Sequence, residues 1–433
     1  MRRLVVSPAQ GPLAGRNRPP GDKSVSQRAA ILGGLARGKT VIHGFLDSDD
    51  AASTLSAMEQ LGARVERGGA GRVDIHGGAL QAPASPLDLG NSGTGLRLLA
   101  GVLAGHPDLV GQRIELTGDE SLSSRPMARI IDPLTLMGAR ITSRDGRCPL
   151  VIEPAPLRGS SHTLKMASAQ VKSAILLAGM FAQGSTRVIE PGHSRDHTER
   201  MLPRFGVAAQ RLPNGAAITG PQSLKGAEIS VPGDPSSAAF IMAAAALVAG
   251  SSVQLDNVGL NPTRSGFFSL LQAMGARVDI QPDASEGDEP VGAVHVQAAP
   301  LRGIEVSQAQ VPAAIDEFPL LMALAAVAEG KTVIRGAAEL RVKECDRIAV
   351  MCAQLARLGV DVQELEDGAI VTGGAVNGGV VESHGDHRIA MSFAVLGLAA
   401  EKPIAVENAG WIATSYPGFV DDLRALGADL AWA

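Results

Sequence analysis

Several cations in this chain stand where helix electrostatics disfavour them. Lys23 and Arg28 follow Gly21-Asp22, Arg97 follows Gly90-Asn91-Ser92-Gly93-Thr94, and Arg388 follows Asp386-His387. Each run precedes an apolar stretch and reads as a helix start. So do Ser168-Ala169-Gln170, Asp234-Pro235-Ser236-Ser237 and Asp316-Glu317. A helix N-terminus carries unpaired backbone N–H groups and a partial positive charge, so it favours anions and opposes cations. Capping accounts for the Ser, Asp and Asn residues. It does not account for lysine and arginine. Their placement fits a ligand with more negative charge than helix ends alone can balance. Guanidinium forks grip phosphate and carboxylate bidentately, which suits such a ligand. Arg125, before Pro126, and the run Arg341-Val342-Lys343-Glu344-Cys345-Asp346-Arg347 add further cations. Asp316 and Glu344 are carboxylates in the same company, where they could move a proton.

Other motifs have blander readings. Gly33 to Thr40 (GGLARGKT) matches a phosphate-loop pattern, but that loop must follow a strand and open a helix. Here it closes a helix and opens a strand, as does AEGKT at Ala328, so both are expected to be helix stops. His193 and His197 stand four apart and could share a helix face. Two ligands without a third make a poor zinc site, so solvation or capping is expected. Asp386 with Arg388 fits a salt-bridged cap. Glu344 with Arg347 fits a surface pair on an amphipathic helix running from Glu344 to Leu358.

Bulk properties narrow the class. Net charge is −5, which argues against a general nucleic-acid surface and directs any anion site to a local basic cleft. Cys148, Cys345 and Cys352 fit neither a disulfide framework nor a zinc spacing, so a reducing cytosol is expected. The opening MRRLVV lacks the apolar core of a signal peptide. The longest apolar run, Ala238 to Ala249, falls well short of the roughly 20 residues that span a bilayer. The expectation is a cytoplasmic protein without a membrane partner.

The elements that position these residues recur. An apolar helix, a Gly-containing break and a strand appear six times, near Ala29, Leu96, Ser173, Ala238, Phe318 and Ile389. A second signature, an amphipathic helix end followed by Gly and a strand, places Gly62, Gly138, Gly206, Gly275, Gly359 and Gly427. The period is about seventy residues, longer than the roughly 20 to 50 of solenoids, so a globular module is copied. The first helix of each copy is apolar nearly all round and must be buried on all sides. Strands outside buried helices would invert the usual α/β layering. The six copies group as three plus three, with crossings near Pro19-Pro20-Gly21 and Val231-Pro232-Gly233-Asp234, and Arg3 to Ser7 pairing with the second half. The charged stretch from Gln281 to Pro290 is expected to be a surface loop.

The runs PGDKSVSQRA, GNSGTGLR, SRPM, MASAQVKSA, SRDHTERML, IDEFP, RVKECDR and DHRIAMSF, in this order across essentially the whole chain, resemble the 5-enolpyruvylshikimate-3-phosphate synthase family. GDKS and ASAQVKS look most like its bacterial glyphosate-tolerant type. The resemblance implies a two-domain inside-out α/β barrel of six βαβαββ repeats, three per domain, with buried helices and a hinge. Residues 21–233 would bind shikimate 3-phosphate, and residues 1–20 with 234–433 would complete the phosphoenolpyruvate site. The implied reaction transfers the enolpyruvyl group of phosphoenolpyruvate to the 5-hydroxyl of shikimate 3-phosphate, releasing phosphate, on the route to chorismate and the aromatic amino acids. No metal or organic cofactor is implied, and a monomer is expected.

Carried over by motif, shikimate 3-phosphate meets Lys23, Ser24, Arg28, Ser168, Ala169, Gln170, Arg195, Asp316 and Lys343. Phosphoenolpyruvate meets Lys23, Gly93, Arg125, Gln170, Arg347 and Arg388. Asp316 takes the proton of the attacking hydroxyl, and Glu344 or Lys23 protonates the methylene carbon. Domain closure would exclude water. The chain departs from the family pattern in places. Ala413-Thr414-Ser415-Tyr416-Pro417 lacks a lysine that some members carry, Glu339 stands where others have Asn, and Ala169 replaces a second Ser. Rival readings are weaker. The sister transferase acting on UDP-N-acetylglucosamine has Lys-Asn where this chain has Lys23-Ser24, and a Cys in the loop equivalent to Gly118 to Arg125. An RNA-terminal phosphate cyclase would need a nucleotidyl-accepting His in its own motif. A noncatalytic anion-binding scaffold would spread its cations on a convex face.

Overall fold

The computed structural model describes residues 2–283 and 289–433. The chain gathers into two units. One runs from Gly21 to Val231 and takes in Glu289; the other holds the residues before Gly21 and those from Pro232 onward. Each has its own apolar core.

Among the described residues, six open sheets repeat one topology. In the first, Gly38–His43 lies parallel to Glu228–Ser230 and antiparallel to Val73–Gly77, which pairs with Arg64–Arg67. The same order holds around Ile114–Thr117 and around Gly184–Ile189 in the Gly21–Val231 unit. In the other unit it holds around Ser252–Gly259, beside Ala14–Asn17, and around Ile404–Glu407, beside Gly379–Glu382. The Lys331–Ile334 sheet has three strands, its parallel neighbour reduced to single bridges at Arg302 and Glu305. A parallel neighbour needs a crossover rather than a hairpin. Two sheets take that parallel strand from far along the chain, and a third takes an antiparallel one. Glu228–Ser230 completes the first sheet. Ala14–Asn17 joins Ser252–Gly259, and Leu4–Val6 pairs with both Ile404–Glu407 and Leu430–Trp432.

The first helices are Lys23–Leu35, Gly93–Gly105, Ala169–Gly179, Pro235–Leu247, Phe318–Ala325 and His387–Gly397. All are buried along nearly their whole length, as all-round apolar helices must be. Small residues let them approach closely: a Cβ on Gly101 would sit 2.2 Å from the Ala174 carbonyl oxygen. The second helices end at the six repeated glycines, whose φ values run from +79° to +109°. Only glycine takes that left-handed conformation without strain, so the signature marks a helix stop. GGLARGKT likewise closes Lys23–Leu35 and opens Gly38–His43.

Two local expectations change. The helix expected from Glu344 begins at Arg347, because Asp346 caps it through the Ala349 N–H; Glu344 lies before it. His193 lies outside the short His197–Met201 helix, so the two histidines share no helix face. Of the stretch from Gln281 to Pro290, residues 284–288 lie outside the described residues, and Gln281 and Pro282 end a strand.

Candidate active site

In the Gly21–Val231 unit the expected residues meet at three helix starts. Asp22 caps the first by accepting the Val25 N–H, which leaves Lys23 and Ser24 as its first two residues. Lys23 Nζ pairs with Asp50 Oδ2 at 2.7 Å. Arg28, one turn on, is 4% exposed. It donates through Nε to Thr198 Oγ1 at 2.8 Å, through Nη2 to Ser173 Oγ at 2.8 Å and through Nη1 to the Ser24 carbonyl at 3.1 Å. All three acceptors are neutral. Burial pushes the guanidinium down to about 10, against the opposing pull of Glu199 and Asp22, while the Arg195 charge adds to the lowering. A buried guanidinium whose partners among the described residues are neutral oxygens is stabilised by an arriving anion.

At the second start Ser92 caps by accepting the Gly95 N–H, and Gly93 opens the helix. A Cβ there would lie 2.8 Å from Arg97 Nη1 and 3.1 Å from Arg125 Nη1. Only a glycine fits between the two guanidinium ends as they stand. Arg125 is braced by Asn91 Oδ1 at 2.6 Å and Ser121 Oγ at 3.1 Å. At the third start Ser168 is the cap, followed by Ala169 and Gln170. Gln170 joins this helix to the second: its Oε1 accepts from Arg97 at 2.6 Å and its Nε2 donates to Thr94 Oγ1 at 2.9 Å.

The other unit gathers the remaining expected residues around one carboxylate. Asp316 Oδ1 lies 3.5 Å from Lys343 Nζ and 3.5 Å from Arg347 Nη1, and its Oδ2 lies 3.9 Å from Arg388 Nη2. Arg347 is 1% exposed and bonds Asp386 Oδ2 at 2.7 Å and Glu344 Oε2 at 2.6 Å. Burial works to lower its pKa, but Asp386, Glu344 and Asp316 together hold it above the ordinary arginine value. Arg388 Nη1 donates to Glu317 Oε1 and to the Asp316 carbonyl, each at 2.9 Å. Asp386 caps the His387–Gly397 helix through the Arg388 N–H.

Three sequence readings need correction. The Glu344–Arg347 pair exists, but its arginine is buried, so it is no surface pair. Asp386 caps the Arg388 backbone yet spends its ion pair on Arg347, while Arg388 pairs with Glu317. His197 is neither solvated nor the cap: it is buried, with Nδ1 2.7 Å from Glu289 Oε1. Sequence reasoning gave no role to Asp50, Asn91, Ser173, Thr198 or Glu317. Each supports an expected cation; Asn91, Ser173, Thr198 and Glu317 lie inside the quoted family runs and Asp50 in none of them, but the pairings are not legible because the partners lie far along the chain. Arg97 is a misplaced cation in the sequence, and its four-residue spacing from Gly93 is the signal that places it beside that glycine.

Each unit gathers groups of one chemistry. Guanidinium ends meet at glycine and small-residue helix starts in one unit. In the other, three cations surround a carboxylate that can accept a proton. Comparison with known proteins agrees in kind. Residues 8–423 match the family model for EPSP synthase (3-phosphoshikimate 1-carboxyvinyltransferase). The 3-phosphoshikimate 1-carboxyvinyltransferase of Acidithiobacillus ferrooxidans is 50% identical over 422 residues, covering 97% of this chain and 96% of that protein. The one from Nitrosococcus oceani is 50% identical over 434 residues, covering 99% and 96%. The solved EPSP synthase of Acinetobacter baumannii superposes with a TM-score of 0.88 at 44% identity, covering 100% of both chains.

Proposed function

The chain belongs to the EPSP synthase family, and on that premise we propose that it transfers the enolpyruvyl group of phosphoenolpyruvate to the 5-hydroxyl of shikimate 3-phosphate, with release of phosphate. The observation that carries this reading is Asp316, a carboxylate ringed by Lys343, Arg347 and Arg388. A general base must sit beside anionic substrates without repelling them, and neighbouring cations make that possible.

The proposed roles follow the chemistry of each group. Arg28, with Lys23, Ser24, Ser168, Ala169, Gln170 and Arg195, takes shikimate 3-phosphate in the Gly21–Val231 unit, and Asp316 and Lys343 take it in the other. Gly93, Arg125, Gln170 and Lys23, and in the other unit Arg347 and Arg388, take phosphoenolpyruvate. Asp316 accepts the hydroxyl proton as that oxygen bonds to C2 of phosphoenolpyruvate. Glu344 or Lys23 gives a proton to C3, which yields a tetrahedral adduct. Removal of a C3 proton then expels phosphate and restores the double bond. Arginine forks hold the phosphates and carboxylate throughout.

Assignment to the glyphosate-tolerant type is supported by the GDKS and ASAQVKS runs. No helix among the described residues is long and apolar enough to cross a membrane. We take the working form to be a cytoplasmic monomer. Phosphate release tests the function. It should require both phosphoenolpyruvate and shikimate 3-phosphate. Release with UDP-N-acetylglucosamine in place of the second substrate would instead support the sister transferase. Glyphosate inhibition measured against the Michaelis constant for phosphoenolpyruvate tests the type.

A further inference from the structure

We propose that a buried ion triad, Lys172 with Glu190 and Glu199, positions the shikimate 3-phosphate contacts of the Gly21–Val231 unit; this rests on the function proposed above. Lys172 Nζ lies 3.0 Å from Glu190 Oε2 and 2.8 Å from Glu199 Oε1. Its side chain is 3% exposed and each carboxylate 1%. Buried ion pairs seldom stabilise a fold more than apolar residues of the same volume would. What this triad touches therefore matters more than its own pairing.

Glu190 Oε1 accepts the Ser168 backbone N–H at 3.1 Å and the Ser194 hydroxyl at 2.6 Å. Ser168 caps the helix bearing Ala169 and Gln170, and Ser194 precedes Arg195. One carboxylate thus fastens two segments that carry substrate contacts. The other side of the triad sets Arg28. Ser173 follows Lys172, Thr198 precedes Glu199, and these two hydroxyls hold Arg28 while Thr198 Oγ1 donates to Ser173 Oγ at 2.7 Å.

Charge completes the case. Among the carboxylates near Arg28, Glu199 acts on it most strongly. Yet Glu199 pairs with Lys172 and not with Arg28. Lys172 keeps that carboxylate engaged and leaves the Arg28 fork for the substrate anion. Without Lys172, two buried carboxylates would face each other, and Glu199 would turn to the nearest cation.

Steady-state kinetics test this, with each substrate varied against a saturating level of the other. Lys172→Met should raise the Michaelis constant for shikimate 3-phosphate by about tenfold or more, and that for phosphoenolpyruvate by less than about threefold. Lys172→Met/Glu199→Gln restores the triad's net charge and removes the competing carboxylate. It should recover most of the loss, and Lys172→Arg should stay close to wild type. A double variant no better than the single one, equal changes in both constants, or no change in either would overturn the proposal. Wild-type protein inactive on shikimate 3-phosphate would overturn the functional reading and this proposal with it. Active wild type with unmoved variants overturns this proposal alone.

Discussion

Replacing Gly93 by alanine probes the phosphoenolpyruvate contacts with one methyl group. The added carbon would sit 2.8 Å from Arg97 Nη1 and 3.1 Å from Arg125 Nη1, with Leu122 Cδ1 next at 3.5 Å. Comfortable heavy-atom contacts begin near about 3.5 Å, so each guanidinium end must retreat by roughly half an ångström. Neither moves freely. Arg97 Nη1 bonds Gln170 Oε1 at 2.6 Å, and Arg125 Nη2 bonds Asn91 Oδ1 at 2.6 Å. Overpacking a tight site costs about 1–3 kcal/mol. That corresponds to roughly a five- to 150-fold loss of affinity. The Michaelis constant for phosphoenolpyruvate should rise within that range, while that for shikimate 3-phosphate changes by less than about threefold. Glyphosate, the longer ligand in this family, should lose more than phosphoenolpyruvate. Part of that cost should fall on folding, because the methyl meets Arg97 and Arg125 before any ligand arrives, so the melting temperature should drop modestly while the fold is kept. Phosphate-release kinetics with and without glyphosate, beside a thermal melt, make the measurement. An inhibition constant and Michaelis constant that move together, or neither moving, would refute the placement of Gly93 against the ligand.

Asp316→Asn should fold and bind both substrates yet lose about 10² to 10⁴ in turnover, as removal of a general base does; near-normal phosphate release would sink the role. Cys345→Ser should stay active, because the thiol only donates weakly to Asp386 at 3.7 Å and serine keeps a donor there; a folded but dead variant would revive a thiol mechanism. Burial, helped by the Asp386 charge, also pushes the Cys345 thiol above its ordinary range, so alkylation of the native protein at pH 8 should be slow. Burial pushes the Cys148 thiol up to about 11 and the Cys352 thiol up to about 12. The folded state holds these protons more tightly than the unfolded chain does. Their contribution is therefore fully present below the unfolded thiol range near about 9 and is lost as pH rises toward about 12. Melting temperatures of wild type and Cys148→Ala/Cys352→Ala across that window should converge; parallel curves would contradict the assignment.

Much of this protein is written locally. Helix starts, caps and glycine stops depend on a few neighbouring residues, so the six repeats and their buried helices are legible from apolar periodicity and capping chemistry alone. Lys23 and Arg388 stand out for the same reason, since the helix dipole acts within one turn and both lie in a first turn, whereas Arg28 and Arg97 lie one turn further on. The family motifs then supply the expected roles. Partners are another matter. Nothing in the sequence ties Lys23 to Asp50, Arg28 to Ser173 and Thr198, or Arg347 to Asp386. Those pairings join residues 27, 145, 170 and 39 positions apart. The misreadings of His197 and of Arg347 as a surface partner of Glu344 share that cause. His197 is buried because Glu289, from far along the chain, bonds it. Arg347 is drawn inward by Asp386, 39 positions away, whereas the later helix start is a local effect of the Asp346 cap. Sequence determined which local geometry each segment adopts. Only the tertiary structure decided which charge neutralises which, because burial lets a charge persist only beside a partner, and that partner is brought near by the packing of the whole unit.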